Sequence, residues 1–234
     1  MTGKKVKPLR HSPDGGYARG DETRQRIIAA ALEVFGEQGF DAATTRQIAV
    51  RAGVNPPALQ YYFENKEGLY LACAASLVSG NLPAFEPLLA RIHQQVASAT
   101  PEACIDLFCQ LMEAVLDRIF GTPYALPQHL FNARIQLGQG PEGAFRLMRD
   151  QLGEKLHHAG AVLIARISGA PAESEQTQLR TLALFGQVAT FHIMRRSVFD
   201  QLGWHEVDAR RLATLKQMTR EHCRTLMQSW AAPV

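Results

Sequence analysis

Residues 23–70 read TRQRIIAAALEVFGEQGFDAATTRQIAVRAGVNPPALQYYFENKEGLY, and the spacing of the apolar side chains in this stretch decides the fold. Ile27, Ile28, Ala31, Leu32 and Phe35 recur at three- and four-residue intervals, which places them along one face of a helix. Gly36 weakens that helix near its end and Gly39 supplies a C-terminal stop. Thr44 with Gln47 three residues later forms a capping-box pattern, so a second helix starts there, carries Ile48, Ala49 and Ala52 inward, and ends at Gly53. Asn55 is an N-cap residue and Pro56 sits at the first helical position, which predicts a third, very short helix from Pro56 to Phe63. Asn65 caps a fourth that begins at Lys66.

Two helices joined by a tight Gly53-Val54-Asn55 turn make a helix-turn-helix pattern. At about 100° per residue, Leu59 and Phe63 share the face that locks onto Ile48, while Pro57 and Tyr61 point away and Gln60, Ala58 and Tyr62 flank them. Exposing an aromatic, an amide and two prolines on so short a helix serves no core. It suits a face that enters a DNA major groove, where glutamine pairs with adenine and apolar rings meet thymine methyls. The hydroxyls of Thr44 and Thr45 and the start of the second helix suit phosphate oxygens.

Outward from this core the chain reads as helix and no convincing two-residue alternation occurs, so the fold class is all-α. Residues 1–20 hold Lys4, Lys5, Lys7, Arg10 and Arg19 against Asp14, together with Pro8, Pro13, Gly15, Gly16 and Gly20, and read as a flexible basic arm. That surplus exceeds the net charge of the whole chain, +3, so the excess sits in the arm. A basic arm fits a polyanion nearby, and a short solubilising tail gives the same count. Residues 21–66 form the helix-turn-helix unit and 67–234 a larger helical bundle, to which the resemblance described below assigns effector binding and dimerisation. In the latter, helices are predicted to about 99 (bent or broken by Pro83 and Pro87), from Thr100-Pro101 to Gly121, and over 126–137, 142–166, 174–201 and 206–230.

Of the 234 residues 46% are apolar and 20% charged, a composition that buries a real core. No uncharged apolar run reaches the roughly 20 residues that span a bilayer, and the basic N-terminus lacks the apolar segment of a secretory signal, so no membrane is expected. The four cysteines show no C-x-x-C pair, consistent with a reducing cytoplasm and with neither a disulfide framework nor a metal site. His157 and His158 diverge by about 100° on a helix, poor geometry for one metal. No nucleophile–base motif, P-loop or zinc signature occurs, and no cofactor and no enzyme activity are expected.

The motifs G39-F40, T44-T45-x-x-I48-A49, A52-G53-V54, L59-x-x-Y62-F63 and N65-K66-E67-x-L69, in this order and spacing, resemble the DNA-binding domain of the TetR family of transcriptional regulators over residues 21–70. LYLACAASLV (69–78) and TLALFGQVATFHIMRRSVFDQLGW (181–204) are similar to the branch with a CerR/CecR-type C-terminal domain. The resemblance implies a repressor that binds a near-palindromic double-stranded DNA operator as a homodimer and is released by a small-molecule effector. It places Thr44, Thr45 and Arg46 at phosphates, and Asn55, Pro56, Pro57 and Ala58 at the turn and start of the recognition helix. Gln60, Tyr61 and Tyr62 fall where bases and backbone are contacted, and Lys66 near phosphate. Many members carry Lys-Gly where this chain has Pro56-Pro57, and an aromatic where it has Gln60. The prolines remove two N–H groups and supply no charge, so the basic arm is the compensating contact to expect.

The resemblance further implies dimerisation through 174–201 and 206–230, since the first of these carries Leu179, Leu182, Leu184, Phe185, Val188 and Phe191 nearly all round its circumference. A central helix within one subunit would show the same pattern. Phe108, Met112, Phe131, Phe145, Met148 and Phe191 are candidate walls of an effector pocket, with His129, Arg134 and His192 as polar fixtures, and ordinary core is the alternative for each. A helical enzyme, or a DNA-binding dimer lacking an effector pocket, are the other functional readings.

Overall fold

A computed structural model describes residues 14–121 and 126–231. Among them there is no strand, and the chain runs through α1 (Asp14–Ala42), α2 (Thr45–Ala52), α3 (Pro56–Phe63), α4 (Lys66–Gln95), α5 (Pro101–Leu116), α6 (Leu126–Gln136), α7 (Glu142–Met148), α8 (Glu154–Ser168), α9 (Glu175–Ile193), α10 (Arg195–Leu202) and α11 (Ala209–Ser229). Five-residue π-helical stretches, Asp117–Gly121 and Arg149–Gly153, follow α5 and α7.

The expected boundaries hold where capping chemistry sets them. Thr44 Oγ1 accepts from Gln47 N at 3.2 Å while Gln47 Oε1 accepts from Thr44 N at 2.9 Å, completing the capping box. Gly53 closes α2 in the left-handed region (φ 65), where a side chain would be strained. Thr100, Ser174 and Asp208 cap α5, α9 and α11.

Three expectations are corrected. Helix α1 begins at Asp14, inside the stretch read as an arm, while residues 1–13 lie outside the described residues. Helix α4 runs unbroken through Pro83 and Pro87, since a proline deletes one helical N–H but packing on both sides keeps the helix: Leu69 to Val78 enter one core, and Phe85 and Ile92 are buried further on. By length and composition α4 is also apolar enough to cross a bilayer, yet these side chains are engaged by protein. Finally, 174–201 divides at Met194 (φ −93, ψ 23) into α9 and α10.

Two cores result. The first gathers Ile27, Phe35, Ile48, Leu59 and Phe63 with Leu69, Tyr70 and Leu77 of α4 and with Phe131, Ile135 and Met148 of α6 and α7. The unit carrying the helix-turn-helix is therefore completed by side chains beyond residue 66, and its centre is an aromatic knot in which the Tyr70 ring lies 4.9 Å from Phe35 and 4.6 Å from Phe131. The second core packs α5, α8, α9 and α11 around Phe108, Leu111, Met112, Leu163, Leu184 and Met227. Ion pairs tie α11 along α5: Arg220 Nε–Glu113 at 2.7 Å, Lys216 Nζ–Asp117 at 2.6 Å and Arg224–Asp106 at 2.5 Å.

Candidate nucleic-acid interface and effector cavity

Helix α3 is eight residues long and too short to persist alone, so its burial fixes it. Leu59 and Phe63 are buried against the first core, and Asn55, Pro56, Pro57, Gln60 and Tyr61 are exposed, with Tyr61 84% accessible. Ala58 and Tyr62 are half-buried at the edge, and the Tyr61 and Tyr62 rings meet edge to face at 5.1 Å. Thr45 and Arg46 are exposed at the start of α2. Together these groups present a hydroxyl, two amides, a guanidinium and a phenol to solvent. Thr45, Pro56, Pro57, Gln60 and Lys66 border one cleft of about 410 Å³.

Two expected phosphate ligands have other partners. The Thr44 hydroxyl accepts from Gln47 N and donates to Gln47 Oε1 at 2.8 Å, so it is engaged in capping. Lys66 Nζ donates to Phe40 O at 2.8 Å and Ala43 O at 3.2 Å and lies 4.3 Å from the Phe40 ring centre. Its charge closes the end of α1, where carbonyls lack helical partners.

Between α3 and α4 the chain turns on Glu64, the non-glycine residue with positive φ among those described (φ 61, ψ −54). Asn65 N donates back to Phe63 O at 2.6 Å, which makes a γ-turn of the strained hand. A Cβ on Gly68 would lie 2.4 Å from Phe63 O, so the crossing leaves no room for a gentler turn. Replacing Glu64 by glycine is therefore expected to stabilise the chain by about 1 kcal/mol, read as a raised denaturation midpoint at unchanged slope. A lowered midpoint would show that the Glu64 side chain matters more than its backbone.

The expected effector residues separate. Phe145, Met148 and His192 line a cavity of about 290 Å³ with Phe85, Val115, Ile119, Leu152 and Leu156 and with the polar Asn81, Arg118, Asn132 and Arg149. Phe108 and Met112 are fully buried in the second core, Phe131 belongs to the aromatic knot of the first, and Phe191 packs half-buried on the second. These four are core because their helices turn them away from the cavity.

Arg134 belongs elsewhere as well. Its Nε donates to Gly36 O at 3.0 Å and its Nη2 to Glu37 O at 3.3 Å, clamping α6 to the end of α1. His129 stands behind the cavity, its ring 5.6 Å from that of His192. Burial first, then the charges of His192, Arg195 and Arg118, push the His129 pKa down to about 4. Burial and Arg195 hold His192 at about 4 as well, so both rings are neutral at pH 7.

Asn81, Arg118 and Asn132 had not been singled out. A polar residue inside the apolar run of α4 was the readable signal for Asn81. Nothing local marks the other two, which the folding of α4, α5 and α6 brings together. Elsewhere, the Cys104 and Cys109 thiols are buried and pushed up by that burial, and burial holds Cys223 at about 12, the behaviour of small core hydrophobes. His157 Nε2 bonds Gln178 Oε1 at 2.6 Å, whereas His158 is exposed, so the adjacent pair does diverge.

Residues 27–73 match the family described as bacterial regulatory proteins, tetR family, and residues 104–229 match the C-terminal domain of the HTH-type transcriptional dual regulator CecR. The CecR dual regulator of Shigella flexneri is 30% identical over 212 residues, which cover 90% of this chain and 93% of that protein. Among solved structures, FadR from Bacillus subtilis in complex with stearoyl-CoA superposes with a TM-score of 0.55 at 17% identity, covering 89% of this chain and 99% of that one. A Saccharomonospora viridis regulator in complex with choline gives a TM-score of 0.56 at 15% identity over 92% of this chain and all of that one. At these identities the two structures bear on the fold alone.

Proposed function

The chain belongs to the TetR family of bacterial transcriptional regulators, in the branch with a CecR-type C-terminal domain, and from this premise we propose that it binds a near-palindromic operator as a homodimer and releases it when the cavity between α4, α5 and α8 fills. The observation that carries the reading is the outward face of α3, where Gln60 and Tyr61 stand exposed on a helix anchored by Leu59 and Phe63. Gln60 would pair with a base edge and Tyr61 contact a base or sugar, while Thr45 and Arg46 meet phosphates.

Dimerisation through α9 and α11 is supported by the exposed side of α9. Thr177, Thr181, Leu184 and Val188 are buried, and roughly half a turn away Leu179, Leu182, Ala183 and Gly186 are exposed. Leu179 and Leu182 are 59% and 58% accessible and Leu226 of α11 is 42%, an apolar surface suited to a second copy. Dimerisation would set the two recognition helices about one DNA turn apart, roughly 34–36 Å. The site of action is the cytoplasm, and the chemistry is binding, not turnover.

Footprinting on the DNA upstream of the chain's own gene, with a salt titration, tests the proposal. A protected two-fold sequence bound more weakly as salt rises is the expected result, and salt-independent or sequence-blind binding overturns it. Tyr61→Ala sharpens the test. So exposed a side chain contributes little to stability, within about 0.5 kcal/mol. Operator affinity is expected to fall about 10- to 100-fold while affinity for unrelated DNA holds. An equal loss on both DNAs would remove Tyr61 from sequence reading.

A further inference from the structure

The effector cavity has a neighbour. A cleft of about 370 Å³ lies beside it, lined by Tyr70 of α4, by Ile135 and Leu137 at the end of α6, and by Gly140 and Pro141 of the loop that follows. Gln136 and Phe145 line both spaces and so form the partition between them. At about 290 Å³ the effector cavity sits at the lower edge of ligand sites, which run from roughly 300 to 1,000 Å³. Joined to the cleft it falls well inside that range.

Phe145 is placed to move. On α7, Ala144 and Met148 are buried in the first core and hold the helix, whereas Phe145 is 36% accessible. Rotamer exchange of so accessible a ring needs no backbone movement. On the far side of the cavity, the π-helical stretches Asp117–Gly121 and Arg149–Gly153 both contribute lining, through Ile119 and Leu152. Such backbone recurs at functional sites.

Both spaces are walled largely by hydrocarbon, with Phe85, Val115 and Leu156 in the cavity and Ile135, Leu137 and Pro141 in the cleft. The cleft also ends at the DNA-binding unit. Tyr70 stands at the centre of the aromatic knot, and its hydroxyl donates to Gln139 O at 3.3 Å. A Cβ on Gly140 would lie 2.7 Å from that hydroxyl oxygen, so the loop rests directly on the phenol.

We propose that the effector site is bipartite: an elongated molecule with a hydrocarbon body fills the cavity, passes the Phe145 ring and ends in the cleft beside Tyr70. The assignment rests on the effector reading above and names the ligand class it takes. At roughly 30 Å³ for each water-sized group, the cavity alone holds about nine or ten non-hydrogen atoms, the size of octanol. Longer chains need the cleft, and only they press on the unit that carries α3.

The test uses the full chain and uncharged probes, so that length alone varies: 1-hexanol, 1-octanol, 1-decanol and 1-dodecanol, titrated by calorimetry. Each buried methylene is worth about fourfold, and affinity is expected to rise at least about tenfold per pair of methylenes through dodecanol. In Phe145→Trp the rise should stop at octanol, and unchanged hexanol binding shows that the cavity has folded. In Phe145→Ala, which removes the partition, dodecanol should bind at least as tightly as in the parent chain. A plateau at octanol in the parent chain, a rise that survives Phe145→Trp, weaker dodecanol binding in Phe145→Ala, or no binding of any probe each overturns the assignment.

Operator binding by the same preparation keeps the two readings apart. At equal occupancy, dodecanol is expected to lower operator affinity at least about tenfold and hexanol less than about twofold. If the ligand-free chain holds its operator and the length dependence is absent, the bipartite site alone falls. If the ligand-free chain holds no operator, the regulator reading falls whatever the probes do. Equal release by hexanol and dodecanol overturns the part given to the cleft beside Tyr70.

Discussion

Replacing Leu182 by glutamate is expected to leave the chain folded and monomeric and to lower operator affinity at least about a hundredfold. Leu182 is 58% exposed, so the new carboxylate does not enter the core of its own subunit. In a dimer the same position would be buried in both copies, and the symmetric interface would bring the mutation in twice. An unpaired buried charge costs several kcal/mol, enough to dissociate a dimer at micromolar concentration. Operator affinity then falls steeply because the second half-site is no longer bound intramolecularly, an avidity factor of roughly 10²–10⁴. Sedimentation gives the mass and gel-shift titration the affinity. A Leu182→Glu chain that sediments as a dimer would remove this face of α9 from the interface.

A single methyl group at Gly36 should have the second large effect. A Cβ built there lies 2.2 Å from the carbonyl oxygen of Pro127, and that atom is backbone that no rotamer change can move. Helix α6 rests on α1 at this point, secured seven residues further along by Arg134, whose guanidinium reaches Gly36 O and Glu37 O. Gly36→Ala therefore forces the start of α6 off α1, and overpacking of this kind costs about 1–3 kcal/mol or more. In a chain of this length the melting midpoint should fall by about 5–10 °C. Gly80→Ala is the control, since a Cβ there meets nothing closer than Arg118 Nη2 at 4.0 Å. A melting curve for Gly36→Ala that overlays the control would mean that α6 does not seat on α1 as described.

The same contact bears on how the cavity could reach DNA. Asn132 and Arg134 are neighbours on α6, one bonded to His192 at the cavity and the other to the end of α1. Helix α4 runs through Pro83 and lines the cavity with Asn81 and Phe85, and α6 supplies a second connection between the cavity and the helix-turn-helix unit.

How much of this was legible depended on whether the information was local. Helix-start signals are local, so the capping box of Thr44 with Gln47 marked the start of α2 to the residue, and Pro56 at the first helical position marked that of α3, although the Asn55 side chain makes no cap bond. The inward and outward faces of α3 followed from a hundred-degree step once Leu59 and Phe63 were taken as anchors. Pocket lining is not local. Phe108, Met112 and Phe131 look as suitable as Phe145 and Met148 in a sequence, because an aromatic on an amphipathic helix does not disclose which neighbour it meets. Leu179 and Leu182 likewise differ from Leu184 only after α5, α8 and α11 have covered one side of α9.

By itself the order of residues determined that this chain is helical, where the helix-turn-helix begins and ends, and which family it belongs to, since caps, turns and apolar periodicity act over three or four positions. Tertiary structure alone decided that Lys66 closes α1, that α6 grips the DNA-binding unit, and that Arg118, Asn132 and His192 meet at one cavity. Those outcomes join side chains tens of residues apart, and the physical reason is that burial and hydrogen bonding depend on which surfaces finally touch.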